Sequence, residues 1–364
     1  MKSKILFILH LPPPVHGSSM VGQYIKDSKI INTSFDAHYI NLSTSKTIDE
    51  IGKKPLIKIS RYLKILFRII FSLVKCNPET VYLAITAKGL GFYKDFPIVL
   101  LTKLFNKKLV LHYHNKGVRK NQHRPFDNLL YHILFKNTKI ILLSERLYED
   151  ISKYVKKEDV FFCPNGIQVI NPEEKISPTN NSVPQILFLS NLIASKGVYE
   201  LLYALKILND NNVKFHCNFV GGVGDISLKQ LNQKINNLNL QNCVSYLGKK
   251  YNHEKHKIFQ SSDIFVFPTF YENETFGLVN IEAMMFGLPV ISTSEGGIPD
   301  IVQDGETGFI VDKQNPKKLA EKIKYLIDNP EKASLMGEKG REYFLEKYTL
   351  EVFERRIVHI LNQI

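Results

Sequence analysis

Pro268-Thr-Phe-Tyr-Glu-Asn-Glu274-Thr-Phe-Gly277-Leu-Val-Asn-Ile-Glu282-Ala-Met-Met-Phe286-Gly-Leu-Pro-Val290 lies between two short apolar runs, Ile264–Phe267 and Val290–Ser292. A strand ends at Pro268, a loop carries Glu274, and a helix runs from Gly277 to Phe286 with Glu282 in its second turn. Strand, loop, helix and strand in that order form a βαβ unit of a parallel sheet. Parallel sheets bind ligands at the carboxyl ends of their strands, beside helix N-termini whose free N–H groups favour anions and hydroxyl oxygens. One carboxylate stands at that mouth and a second about one turn inside. Each accepts several hydrogen bonds, which suits sugar hydroxyls.

Working outward, the same texture recurs on both sides. Before the quoted stretch come Gln185–Leu189, Lys214–Val220 and Val244–Leu247, with helix at Gly197–Asn209; after it come Gly308–Val311 and helices over 316–364, the last from Leu350 to Ile364. The first half holds another series: Ile5–Leu9, Thr80–Ile85, Lys108–Tyr113, Lys139–Leu143 and Val160–Phe162. These strands are apolar continuously rather than alternately, as strands buried on both faces are. His10 and Pro12–Pro14 cut the first run to five residues, too short for a secretory h-region, so it reads as a strand. Residues 171–184, rich in Pro, Asn and Ser, form a linker by composition. The expected fold is α/β: a Rossmann-like domain over 1–170, the linker 171–184, a second Rossmann-like domain over 185–345, and a C-terminal helix over 346–364 that returns to the first domain. The two domains are expected to face each other across a cleft.

With 364 residues, 44% hydrophobic and 23% charged, the chain can bury two cores and is neither fibrous nor disordered. Four scattered cysteines with no CxxC pair argue against a zinc module or a disulfide framework and fit a reduced, cytoplasmic compartment. The formal charge of +13 is uneven: residues 1–165 carry 27 Lys+Arg against 12 Asp+Glu, a net of +15, and the remainder is −2. The basic residues adjoin aliphatic runs, and no RNA- or DNA-reading module is visible, which points away from nucleic acid. From Pro55 to Lys75 the chain is mostly apolar, carries Lys58, Arg61, Lys64, Arg68 and Lys75 on one helical face, and has no acid. Placing Arg61, Lys64 and Arg68 in hydrocarbon costs about 2.5–3.5 kcal/mol each, so a membrane span is disfavoured. Two readings stay open: a basic amphipathic helix on an anionic membrane, and a surface helix whose apolar side packs on the sheet.

The spacing Glu274-x7-Glu282 with Phe276-Gly277-Leu278 resembles the donor-site motif of family 4 of the retaining glycosyltransferases, which have the two-domain GT-B fold. Ser190-Asn191-Leu-Ile-Ala-Ser-Lys196-Gly197, Cys163-Pro-Asn-Gly-Ile, Glu295-Gly-Gly-Ile-Pro-Asp and Pro14-Val-His-Gly17-Ser18-Ser19 match further family loops in order and spacing. The resemblance covers nearly the whole chain and is densest from 186 to 311. It implies that Glu282 holds the ribose of a nucleoside-diphosphate sugar, UDP- or GDP-linked. It implies that Glu274 and the Phe276–Leu278 backbone hold the sugar, that Lys196 with the Gly17 loop holds the diphosphate, and that Ser18, Asn191 and Thr275 belong to the same donor-binding set. His114, in His112-Tyr-His114-Asn at a strand end, matches the family's histidine near the reacting centre, which makes His114, Lys196 and Glu274 the expected catalytic set. Both histidines are expected on one side, at the cleft edge. The family usually has Arg where this chain has Asn191, which removes a bidentate phosphate clamp. No Asp-x-Asp occurs, so cationic side chains and helix ends, rather than a metal or other cofactor, are expected to steady the leaving group.

The activity implied is retaining transfer of a sugar to a hydroxyl of a lipid-linked saccharide or other glycan, in bacterial capsule, O-antigen or lipopolysaccharide synthesis. The enzyme is expected on the inner face of the cytoplasmic membrane. A nucleotide-sugar hydrolase or epimerase on the same fold is the alternative, separable by product analysis without acceptor. A nicotinamide enzyme is disfavoured, since Gly221-Gly-Val-Gly lacks the third glycine of G-x-G-x-x-G, having Ser227 there.

Overall fold

The computed structural model describes residues 2–13, 17–44, 55–170 and 183–364. The Pro14–His16 part of the glycine loop and residues 171–182 of the expected linker lie outside the described residues. The chain divides into two compact units, Met1–Gly166 with Leu350–Ile364, and Ile167–Thr349.

The first unit runs β1 (Lys4–Leu9), α1 (Gly17–Asp27), α2 (Lys29–Ser34), β2 (Asp36–Asn41), α3 (Pro55–Lys75), β3 (Thr80–Ile85), α4 (Gly89–Leu104), β4 (Lys108–Tyr113), α5 (Val118–Asn121), α6 (Pro125–Phe135), β5 (Lys139–Leu142) and β6 (Val160–Phe162). Its sheet is parallel throughout, in the order β2-β1-β3-β4-β5-β6. The apolar runs of β1, β3, β4 and β5 became the central strands because helices cover both faces, and that of β6 became an edge. Strand β2 is the one the apolar runs did not reveal. It reads Asp-Ala-His-Tyr-Ile-Asn, sits at the sheet edge, and is mostly half-buried, so it needs no continuous apolar stretch.

The second unit holds β7 (Gln185–Leu189), α7 (Val198–Asp210), β8 (His216–Val220), α8 (Leu228–Asn237), β9 (Val244–Tyr246), α9 (Asn252–Gln260), β10 (Ile264–Phe267), α10 (Leu278–Met285), β11 (Val290–Thr293), α11 (Ile298–Ile301), β12 (Gly308–Val311), α12 (Pro316–Asp328) and α13 (Pro330–Lys347). Its sheet is also parallel, in the order β12-β11-β10-β7-β8-β9. The loops after β10, β7, β8 and β9 are therefore neighbours along one sheet edge.

The last helix, α14 (Leu350–Gln363), belongs to the first unit. Phe353, Ile357, Ile360 and Leu361 fall at helical spacing and enter one cluster with Phe7, Leu9, Ile25, Ile31 and Tyr82. The C-terminal helix thus returns to the first unit, as expected from the sequence.

Candidate donor site

In the second unit, the loop after β7 and the loop after β10 are tied by their backbones. The Phe270 N–H donates to the Ser195 carbonyl at 2.8 Å, and the Thr269 hydroxyl donates to the same oxygen at 3.3 Å. Gly197 is left-handed at φ +91°, and a Cβ there would stand 2.3 Å from the Pro268 carbonyl oxygen. Only glycine lets the two loops approach this closely. A second closure lies at Gly296, φ +55°, where a Cβ would meet the Glu274 carbonyl oxygen at 2.5 Å; beside it, the Gly297 N–H donates to the Thr275 carbonyl at 2.8 Å. Gly296 and Gly297 thus pack on the Glu274–Thr275 backbone, and Gly197 packs on Pro268 at the start of the same loop.

This packing brings two of the expected residues together. Lys196 Nζ lies 2.5 Å from Glu274 Oε2, with the side chains 16% and 13% exposed. The ammonium also stands over the Tyr271 ring at 4.5 Å and the Phe267 ring at 5.5 Å. A cation so held is partly dehydrated, and the aromatic faces stabilise its charge. An ammonium has three N–H donors. Thr275 and Phe276 are buried behind the pair, and Gly277, at φ +73°, caps α10 at Leu278. In the first turn of that helix Asn280 is fully buried, with neither its amide nitrogen nor its oxygen hydrogen-bonded.

Glu282 is separately held: its Oε1 accepts from Lys255 Nζ at 2.8 Å, and both side chains are about one fifth exposed (24% and 19%). Asn191 points to the loop after β8, where its Oδ1 accepts from the Gly222 N–H at 3.1 Å. A Cβ on Gly222 would lie 2.4 Å from Lys249 Cε and 3.0 Å from Asn191 Oδ1, so the Lys249 stem crosses Gly222 beside Asn191. No ion pair holds the Lys249 ammonium among the described residues. Lys249, Lys255 and Tyr271 were not legible as site residues in the sequence. Lys249 precedes α9 and Lys255 lies in its first turn, in a lysine-rich stretch that looks like ordinary surface, and only strand order reveals that the loop after β9 adjoins those after β7 and β8.

The first unit carries the remaining expected residues. Gly17 opens α1 with Ser18 next, and Ser19 is fully buried. His114 stands one residue past β4, half-buried, with its ring 4.2 Å from that of His112. The two histidines share a side, as alternation requires. His112 corrects the expectation that both reach the sheet edge: it is fully buried, and its Nδ1 is bonded to the Tyr82 hydroxyl. Burial, and then the neighbouring His114, hold His112 well below the ordinary histidine pKa, so it is a neutral core residue.

Residues 169–343 match the family model of glycosyl transferases group 1. CapM of Staphylococcus aureus, a capsular polysaccharide biosynthesis glycosyltransferase, is 29% identical over 63% of this chain and 62% of its own length. A poly(ribitol-phosphate) alpha-N-acetylglucosaminyltransferase of S. aureus strain COL is 27% identical over 61% of this chain and 43% of its own. The match thus spans less than two thirds of either curated relative. Among solved structures, Anabaena HepE in complex with UDP and glucose superposes with a TM-score of 0.73 at 16% identity, covering 100% of both chains. That likeness carries the fold, which is GT-B.

Proposed function

Because residues 169–343 match the family model of glycosyl transferases group 1, we propose that the chain moves a sugar from a nucleoside diphosphate to a hydroxyl of a glycan. The setting is bacterial surface-polysaccharide assembly, with a lipid-linked acceptor at the inner face of the cytoplasmic membrane. The observation that carries the reading is the Lys196–Glu274 pair beside the glycine-capped start of α10. Lys196 gives one of its three N–H donors to Glu274 and keeps the others for a diphosphate. Glu274 keeps its second oxygen for a sugar hydroxyl, and Glu282 serves the ribose. Lys249 replaces the guanidinium that Asn191 lacks, since its stem already lies across Gly222 beside Asn191.

The chemistry is retaining. A carboxylate neutralised by an ammonium is a poor nucleophile, so Glu274 orients the sugar while the acceptor attacks from the face the phosphate leaves. The departing phosphate takes the acceptor proton, and Lys196 with the helix N–H groups steadies the charge without a divalent ion. His114 is assigned to the donor sugar and Gly17–Ser18 to the phosphates, by resemblance. UDP and GDP sugars offered with lipid-linked and free glycan acceptors test this, with the anomeric configuration of the product read by NMR. Transfer with retained configuration, undiminished by EDTA, is expected. Hydrolysis alone with every acceptor, or an inverted product, would refute the reading.

A further inference from the structure

The helix α3 has two apolar faces, and only one of them meets the protein. Ile65, Ile69 and Leu73 are 7, 0 and 1% exposed and fix the helix to the body, helped by the Tyr62 hydroxyl on the Lys94 carbonyl and by Arg61 on the Thr44 carbonyl at 2.9 Å. Ile59, Leu63, Phe67, Ile70, Phe71 and Val74 are 55, 58, 70, 37, 53 and 63% exposed. At about 100° per residue, these six span an arc of roughly 120°, centred roughly 135° from the buried three. Lys64, Arg68 and Lys75 run along one edge of that arc, and the helix contains no acidic residue. An open basin of about 650 Å³ lies on this face between Ile59 and Arg68.

A contiguous apolar stripe of this size marks an interaction surface. Its basic edge selects the occupant. A second copy would bring Lys64, Arg68 and Lys75 against their equivalents, on units that each carry a net charge of +15, whereas anionic headgroups would neutralise them. No helix of the described residues is long and apolar enough to cross a membrane. We propose that α3 lies flat in the headgroup region of an anionic bilayer. Phe67 and Phe71 reach the acyl boundary, and Lys64, Arg68 and Lys75 sit on lipid phosphates. This deepens the proposed function by naming the element that meets the acceptor's membrane. It also adds apolar insertion to the electrostatic attraction, so part of the binding survives salt.

The full-length protein, without nucleotide, is sedimented with phosphatidylcholine vesicles with and without phosphatidylglycerol, at low and high salt. The wild type should pellet with the anionic vesicles at least about tenfold better than with neutral ones. Phe67→Ser with Phe71→Ser should lower that partition at least about tenfold at both salt concentrations. Lys64→Gln with Arg68→Gln should lower it about fivefold per cation at low salt and little at high salt. Melting curves and donor-induced thermal shifts equal to wild type show that the variants are folded, and keep this outcome separate from that of the donor reading. Undiminished vesicle binding by the serine variant would overturn the proposal. So would a wild type that ignores vesicles and is a dimer which the serine variant breaks.

Discussion

Lys196 and Glu274 are nearly buried, so each is the other's solvent. Removing one partner leaves an uncompensated charge, whereas removing both costs much less. Lys196→Met and Glu274→Met should each lower the melting temperature, and the double variant should recover most of the loss while all three lose transfer by about 10²–10³-fold. Calorimetry beside a transfer assay reads both; recovered activity in the double variant would exclude direct roles. Lys249→Ala should raise the donor KM about tenfold with kcat little changed, and Asn191→Arg in that background should restore it, as measured by steady-state kinetics. His112 supplies a pH dependence. Its folded pKa lies below the unfolded value near 6.5, so the unfolded chain binds the extra proton first. Stability is therefore full above about pH 6.5 and falls as pH drops below it, by up to about 1.4 kcal/mol per unit. Urea midpoints between pH 7.5 and 5.5 should show this slope in the wild type and a reduced one in His112→Phe. The residues of the quoted stretch could be picked out because they sit between two strand-like runs, and Lys196 from its own motif before Gly197; that Lys196 pairs with Glu274, and that Lys255 pairs with Glu282, could not, because chain separation hides such contacts.

At the scale of the element, α3 shows where periodicity stops informing. The spacing of its cations was readable, and it left open whether the apolar side faces lipid or sheet. The helix has both kinds of side, because 21 residues with so few polar positions can carry two stripes. Ile69→Ala, at a fully buried site, should cost about 2–5 kcal/mol. Phe67→Ser, at a site 70% exposed, should stay within about 0.5 kcal/mol. Equal losses in chemical denaturation would mean that the outer stripe also packs on the protein. The edge strand β2 was missed for the complementary reason: Asp36, His38 and Asn41, kept where the sheet is only half-buried, interrupt the apolar signal, whereas the other edge, β6, reads Val-Phe-Phe.

At the scale of the molecule, the charge divides with the units. Leu350–Ile364 carries two acids and two arginines, so its return leaves the first unit at +15 and the second at −2. The same helix decides whether the first unit can stand. Phe353, Ile357, Ile360 and Leu361 are at most 7% exposed, and burying such side chains is worth about 1.5–3 kcal/mol each, comparable with the whole stability of a domain, about 5–15 kcal/mol. A chain ending at Thr349 should therefore lose the cooperative unfolding of the first unit while the second unit still melts as a unit, as calorimetry would show. On the ribosome the consequence is one of order. Residues 1–166 emerge before α14 but wait for it to close their core, so the second unit folds first. Until α14 emerges, the basic half, with its apolar strands and the outer stripe of α3 uncovered, is the part of the nascent chain most in need of a chaperone or a lipid surface.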